Sequence, residues 1–561
     1  MTKRTLALIA TGLCALAATT PATAADGKRL PALTPTGPDA LTRALARGEL
    51  SEADYALERA RSLFELGRVR REFGDVERAN PRDATPILRD LVARYRLLSH
   101  ADRTTARGLL ARPTDSSDSS EHHYRSGAIL GKLCDATRPL CVHWDEKTNH
   151  RDAPPGANNN ATTIPADVQA TLDTFAGVYD LEVDTYGYLA PLPDGTSAPD
   201  DGGDDRTDIY LADLGGDLNP FFGYCTTDDP NAFAFHYDYY DVSAYCVVDE
   251  DFADFGGSQT PQGFRDVTSA HEFFHAIQFH YDWLEDLWLM EGTAMVMEDQ
   301  YADDVNDNVN YLGNSVLTSP SVPVDRGSGG FEYGAWIWWR FVIEDLGQLV
   351  NPLVIREEWE RVAAASTDTD GPGPDNTTND LYSLQGLRKV ATGNGHPFPD
   401  LYGKFAWANR LPFTFYEEGA TYPKAKVKRT FTLGRRGTGS GWQSPRLRHL
   451  ASTYVRFVPG SATPANAVLR VGVHLPDLAD SPKAFVLVKA AGQPWSVREI
   501  ALSASGNGVR RVGFGPGAIK EVDLVLTNAS TRMRCGRNTS YSCTGVGADD
   551  LLVYAYRGTV R

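Results

Sequence analysis

Three regimes of hydrophobic patterning follow one another along the chain. From about Thr34 to Arg112, apolar residues recur every three to four positions, as in DALTRALARGELSEADYALERARSLFELGRV, where Ser51 is placed to cap a helix. DATPILRDLVARYRLLSHADRTTARGLLARP predicts two more helices, stopped by Pro113, and TDSSDSSEHH reads as an exposed linker. Between about Tyr124 and Pro423 strand and helix periods alternate. RPLCVHWDE, DIYLADLGG and AYCVVDEDF predict strands. IPADVQATLDTFAGVYDLEVD, DVTSAHEFFHAIQFHYDWL, WLMEGTAMVMEDQYADD, YGAWIWWRFVIEDLG and PLVIREEWERVAAA predict helices, and STDTDGPGPDNTTND a loop. After about Lys424 the helical period disappears. STYVRFVPG, NAVLRVGVHL, KAFVLVKAAG, VREIALSAS, EVDLVLTNAS and DDLLVYAYRG are short strands between turn residues, the cue for an antiparallel sandwich.

The opening residues add a compartment. Lys3 and Arg4 precede an apolar run from Leu6 to Ala18 and a small-residue segment ending at Ala24. This is the pattern of a secretory signal peptide cleaved near Ala24, too short to span a bilayer. Loss of Cys14 with that segment leaves Cys134, Cys141, Cys225, Cys246, Cys535 and Cys543. Three sequence-local pairs, 134–141, 225–246 and 535–543, are the simplest disulfide set for an exported chain. The formal charge of −18 becomes −20 when Lys3 and Arg4 are removed, which argues against a nucleic-acid partner. The expectation is an α+β protein in four parts: a signal peptide over 1–24, a helical region over 25–118 that is either a propeptide or a permanent cap, a central domain over 119–423 and a β-sandwich over 424–561. No membrane insertion is expected.

The candidate chemistry lies in SAHEFFHAIQF. His271 and His275 are four residues apart, so on a helix they sit roughly 40° apart on one face and one turn along, within reach of one cation. Glu272 is offset to the side, where it can address a metal-bound water. This is H-E-x-x-H, two zinc ligands and a general base. Two histidines in an otherwise apolar face need partners, because burying them alone is costly. A catalytic zinc takes a third protein ligand. His280 lies about 140° round from His275 and lacks the spacing of a third histidine, which leaves it a structural or surface residue. Glu291 in DLWLMEGTAMVMED, on the next predicted helix after a turn near Trp283–Asp286, is the better third ligand. Glu298, two turns further, either orients a ligand or is solvated.

HEFFHAIQF followed by DLWLMEGTAMVME resembles the gluzincin zinc peptidases, and WLMEGTA resembles the W-L-N-E-G-x-A segment of the aminopeptidase N family. The whole chain is similar to secreted bacterial metallopeptidases that combine a helical start, an HExxHxxQ helix and a β-rich tail. The resemblance implies a zincin-like catalytic domain of mixed sheet plus active-site helices, with zinc held by His271, His275 and Glu291 and with Glu272 as general base. Fifteen residues separate His275 from Glu291, three fewer than in the aminopeptidase pattern, and the G-x-M-E-N amine-recognition motif is absent, so aminopeptidase specificity does not carry over. GGFEYGAWIWWRF resembles the segment that supplies an oxyanion-stabilising tyrosine, with Tyr333 two residues after the matching position, which Phe331 fills. Tyr333 is thus either that donor or a packing residue. Trp336, Trp338 and Trp339 are expected in the core and the cleft wall rather than in a ligand cage.

In zincins generally, an edge strand above the metal pairs with extended peptide; AYCVVDEDF and DIYLADL are the candidates. DGGDDRTD, DDVNDNVN and DTDG offer oxygen ligands of the kind calcium takes, but none has EF-hand spacing, which favours solvated loops. The implied activity is hydrolysis of a protein or peptide substrate. The rivals are a zinc hydrolase acting on a non-protein amide such as cell-wall material, and a non-catalytic exported binding protein.

Overall fold

The computed structural model describes residues 39–115, 123–195, 202–215, 220–234, 241–257, 259–363 and 381–561, with Leu30 and Leu33. The expected signal segment, most of the linker TDSSDSSEHH and the loop DTDG lie outside these residues.

The first regime is helical: α1 (Ala40–Ala46), α2 (Glu52–Phe64), α3 (Leu66–Phe73), α4 (Ala84–Arg94) and α5 (His100–Leu109). Ser51 caps α2 in a reciprocal capping box with Asp54. α1, α2 and α3 keep a small core of their own around Leu41, Tyr55, Leu66 and Val69, but the region also packs into the main core. Leu57, Leu63, Ile87, Leu88 and Leu91 belong to the same core as Val142, Ile209 and Phe273 of the central region. Every residue of α4 is buried. Arg112, also buried, reaches Asp208 at 2.6 Å, Asp194 at 2.7 Å and Asp228 at 2.8 Å. Buried charges persist only when paired, so this seam ties the helical region to the rest.

The central sheet has five strands: β1 (Leu130–Cys134), β2 (Leu140–Asp145), β3 (Thr207–Ala212), β4 (Gly223–Thr226) and β5 (Tyr245–Asp249), in the order β1-β2-β3-β5-β4. β2, β3 and β5 run parallel, and β1 and β4 close the sheet antiparallel at its edges. The parallel step from β2 to β3 is made through α6 (Ala166–Tyr179), the crossover such a pair requires. α7 (Pro230–Ala234) lies between β4 and β5. The interior strands are the three marked by the sequence. The expectation that DIYLADL or AYCVVDEDF is a free edge is overturned: β3 is flanked by β2 and β5, and β5 by β3 and β4.

Two helices follow β5. α8 (Pro261–Asp282) starts at a Thr260 cap with Pro261 in its first turn, and α9 (Leu287–Tyr301) starts after the turn expected near Trp283–Asp286. Both are buried over most of their length, which explains why their apolar pattern runs nearly all round. Then come α10 (Asn308–Tyr311), α11 (Phe331–Gly334), α12 (Trp336–Asp345), α13 (Leu353–Val362), α14 (Ser383–Gly393), α15 (Phe398–Ala408) and α16 (Pro412–Phe415). Trp288 of α9 stacks on Trp339 of α12, with ring centroids 5.5 Å apart. Gly292 permits that approach, since a Cβ there would meet Trp339 Nε1 at 3.0 Å.

The tail contains β6 (Val427–Leu433), β7 (Arg446–Leu447), β8 (Ala451–Pro459), β9 (Val468–His474), β10 (Pro482–Ala490), β11 (Trp495–Glu499), β12 (Asn507–Gly513), β13 (Ile519–Asn528), β14 (Met533–Arg534), β15 (Val546–Gly547), β16 (Leu552–Val553) and β17 (Ala555–Val560). A five-stranded sheet, β11-β10-β13-β8-β6, and a three-stranded sheet, β12-β9-β17, share a core that includes Val455, Leu469, Val471, Val486, Phe514 and Leu524. The expected sandwich is thus present with departures: β6 and β12 are strands that the sequence pattern does not mark, and β6 pairs with β8 in parallel rather than antiparallel. VREIALSAS is a strand only in its first residues, where β11 ends at Glu499. The outer face of the larger sheet docks on α15, where Tyr454 donates to the Ala406 carbonyl at 2.7 Å.

All three expected disulfides are present: Cys134–Cys141, Cys225–Cys246 and Cys535–Cys543. No described helix is long and apolar enough to cross a membrane.

Candidate metal centre

α8 places His271 and His275 on one face, and the turn into α9 returns Glu291 to them. The two Nε2 atoms are 3.1 Å apart. Glu291 Oε2 lies 3.2 Å from His271 Nε2 and 3.5 Å from His275 Nε2. Bond lengths of about 2.0–2.1 Å in a tetrahedral site put neighbouring ligand atoms about 3.3 Å apart. The three separations bracket that value. His271, His275 and Glu291 are 0 % exposed.

The surrounding hydrogen bonds fix which nitrogens carry protons. Gln278 Nε2 donates to the Met290 carbonyl at 2.9 Å and to Thr293 Oγ1 at 3.2 Å. A carbonyl only accepts, so the amide orientation is set, and Gln278 Oε1 faces His275 Nδ1 at 2.8 Å. His275 Nδ1 therefore carries the proton and its Nε2 presents a lone pair. His271 Nδ1 donates to Glu298 Oε1 at 2.7 Å, which leaves its Nε2 aimed at the same point. Neither oxygen of Glu291 has a hydrogen-bond donor. Lone pairs from two imidazoles and a buried carboxylate thus converge, an arrangement that calls for positive charge. A proton on His271 meets that demand when no metal does: burial works to lower its pKa, but Glu291 and Glu298 outweigh this and push it up to about 9. Burial likewise works to raise the Glu291 carboxyl, and the two imidazoles more than offset it, to about 2. The donor set, two nitrogens and one carboxylate oxygen, suits zinc.

Glu298 is not solvated. It is buried, and the Arg82 guanidinium reaches it at 2.9 Å and Asp307 at 2.8 Å. Burial raises the Glu298 carboxyl despite Arg82. Arg82, at the entry to α4, therefore acts on the centre through Glu298 and His271. Thr85 of α4 acts more directly. Its hydroxyl donates to Glu272 Oε2 at 2.9 Å and accepts from the Cys225 amide of β4 at 2.9 Å. Thr85 thereby holds the candidate base and covers the edge strand beside it. Tyr333, fully buried on α11, donates to Asp83 Oδ1 at 2.9 Å; burial raises its pKa well above the usual range.

His280 stands apart, bonded through Nδ1 to the Ala190 carbonyl at 2.5 Å, as a structural histidine. Trp336, Trp338 and Trp339 are core residues. In DDVNDNVN, Asp307 is taken by Arg82 and Asn308 by Asp299. In DGGDDRTD, Asp208 is taken by Arg112 and His143. Asp213, Asp249 and Glu250 also converge, but Asp249 there accepts from the backbone amides of Leu214, Gly215 and Phe252. Sequence reasoning missed Arg82, Asp83, Thr85 and the role of Gln278. Only Gln278, one turn after His275, leaves a local signal; Arg82 and Thr85 lie at the start of α4, nearly two hundred residues away.

No protein-family model matches the chain, and no curated protein matches it. Among solved structures, the pre-peptidase C-terminal domain of a collagenase from Bacillus anthracis is 11% identical, covering 24% of this chain and 97% of that one, with a TM-score of 0.14. A family GH115 4-O-methyl-α-glucuronidase with specificity for decorated arabinogalactans is 10% identical, covering 67% of this chain and 54% of that one, also with a TM-score of 0.14. The chain thus spans about half the length of that enzyme. Likenesses this slight bear on neither fold nor function.

Proposed function

We propose that this protein is a metal-dependent hydrolase. More particularly, we read it as an exported zinc peptidase of the gluzincin type. The observation that carries this reading is the convergence of the His271 and His275 Nε2 lone pairs with the donorless Glu291 carboxylate at about tetrahedral ligand spacing.

His271, His275 and Glu291 would hold the ion, with Glu298 and Gln278 fixing the imidazoles. Bound zinc would supply Lewis acidity toward the scissile carbonyl and its water. Glu272 takes the proton of the attacking water and delivers it to the leaving amine. Thr85 holds Glu272 Oε2 and leaves its other oxygen for that transfer. Tyr333 serves as oxyanion donor once its hydroxyl leaves Asp83. A peptide does not pair with the β4 edge at Cys225 while Thr85 occupies that amide. Three disulfides fit an oxidising, extracellular setting.

The test is hydrolysis of a mixed peptide library by the zinc-loaded protein and by Glu272→Gln. Cleavage should fall by at least about a hundredfold in the variant, with metal content and melting temperature retained. Cleavage that survives in the variant would reject the role given to Glu272.

A further inference from the structure

Asp83 has a second side. Its Oδ1 accepts from Tyr333, and its Oδ2 accepts from the Asn80 amide at 2.9 Å. Beyond it lies an open cleft of about 470 Å³, bordered by Asn80, Asp83, Asn314, Gly330 and Glu332. That volume falls within the roughly 300–1,000 Å³ of small-ligand sites. The rim is built rather than incidental. Gly329 and Gly330 take φ values of 71° and 77°, a pair of left-handed positions that favour glycine. Asn314 Nδ2 fixes the turn by donating to the Gly329 carbonyl at 2.8 Å.

Two carboxyl groups border this cleft, and both are nearly fully buried: Asp83 is 6 % exposed and Glu332 2 %. Glu332 Oε2 is buried without a hydrogen-bond partner. A carboxylate oxygen removed from water and given no donor is unfavourable unless something supplies one. Burial and the neighbouring Asp83 push Glu332 up to about 8, and burial pushes Asp83 up to about 6. Two buried acids that line one cleft and repel one another are fully ionised only when a cation joins them. Arg78 also lines the cleft, but it is solvent-exposed, where water screens its charge. Asp83 stands between Arg82, which pairs with Glu298, and Thr85, which holds Glu272, so the cleft adjoins the metal centre.

We propose that this cleft is a substrate subsite that receives an ammonium or guanidinium group between Glu332 and Asp83. Its place in a reaction rests on the hydrolase reading above; its recognition of a cation does not. Glu332 and Asp83 supply the negative charge that pairs with the incoming cation, and Asn80, Asn314 and Gly330 complete the lining.

Binding to the full-length protein tests this without turnover. The probes are acetyl-arginine amide (a basic side chain with a blocked terminus), leucinamide (a free terminal ammonium) and acetyl-leucine amide (neutral). At least one cationic probe should bind ten times more tightly than the neutral one, and which one does so identifies the side chain or the terminus as the source. Glu332→Gln should remove the preference. Asp83→Asn provides the same test if Glu332→Gln does not fold. Equal binding of all three probes, or a preference that survives in the folded variant, overturns the subsite. Cation preference without any peptide hydrolysis keeps the subsite and counts against the peptidase reading alone.

Discussion

Gln278 and His275 form a clamp between the two helices of the metal centre. The amide oxygen of Gln278 accepts from His275 Nδ1 at 2.8 Å, while its nitrogen reaches the Met290 carbonyl, the residue before Glu291. One side chain thus sets the tautomer of one ligand and the position of another. Gln278→Leu should weaken zinc binding by about 10–100-fold, the usual effect of losing a group that orients a ligand. Gln278→Glu keeps the acceptor and loses the donor, and should retain more affinity than Gln278→Leu. Competition with a zinc chelator measures both; equal affinity in Gln278→Leu and wild type would remove Gln278 from the centre.

Arg82 carries a comparable link from the other end of the chain. It is 1 % exposed and pairs with Glu298 and Asp307. Arg82→Met leaves two buried carboxylates without their cation and should cost roughly 3–5 kcal/mol of stability. Denaturant unfolding of the metal-free protein measures this loss. A change under about 0.5 kcal/mol, the size of an ordinary surface substitution, contradicts the assignment.

His449 sits between Asp325 Oδ1 at 3.0 Å and Asp550 Oδ1 at 2.6 Å, at the junction of the tail and the central domain. Burial works to lower its pKa, but the two carboxylates outweigh this and raise it to about 10. The folded value lies above the ordinary one, so the charged imidazolium stabilises the fold fully below about pH 6.5. That contribution disappears as pH rises through about 10. Unfolding free energies of wild type and His449→Gln should therefore differ most near pH 6 and converge toward pH 10. A difference that stays constant over this range removes His449 titration from the account.

The helical region should prove inseparable from the central one. A chain beginning at residue 119 loses α4, Arg82 and Arg112, and with them the partners of Glu298, Asp307 and Asp208. It also loses the leucines that α2 and α4 give to the shared core. Such a chain should show no cooperative thermal transition. A cooperative transition in that chain, with zinc binding retained, would make residues up to 118 a removable propeptide.

Much of this architecture is written locally. The i, i+4 histidines, the turn at Trp283–Asp286 and the return to Glu291 depend on helix period and one short connection, which a sequence displays. The interior strands β2, β3 and β5 stand out because burial on both faces makes them nearly continuous apolar runs. β4, four residues long, is too short to show a period, and pairing with it is what makes β5 an interior strand. Parallel pairing of β6 with β8 was also hidden, since direction depends on how the 434–450 connection returns. Thr85 and Arg82 reach Glu272 and Glu298 across 187 and 216 positions, and no periodicity reports a contact of that range. The second role of Asp83, facing both Tyr333 and the cleft, is hidden for the same reason.

The central claim concerns three converging lone pairs, and metal analysis addresses it most directly. The protein should be purified from zinc-supplemented medium as wild type and as Glu291→Ala, and its zinc content measured after dialysis against a weak chelator. The account predicts close to one zinc per wild-type chain and little or none in Glu291→Ala. A wild-type protein that binds no divalent metal, or a Glu291→Ala variant that keeps its zinc undiminished, contradicts it.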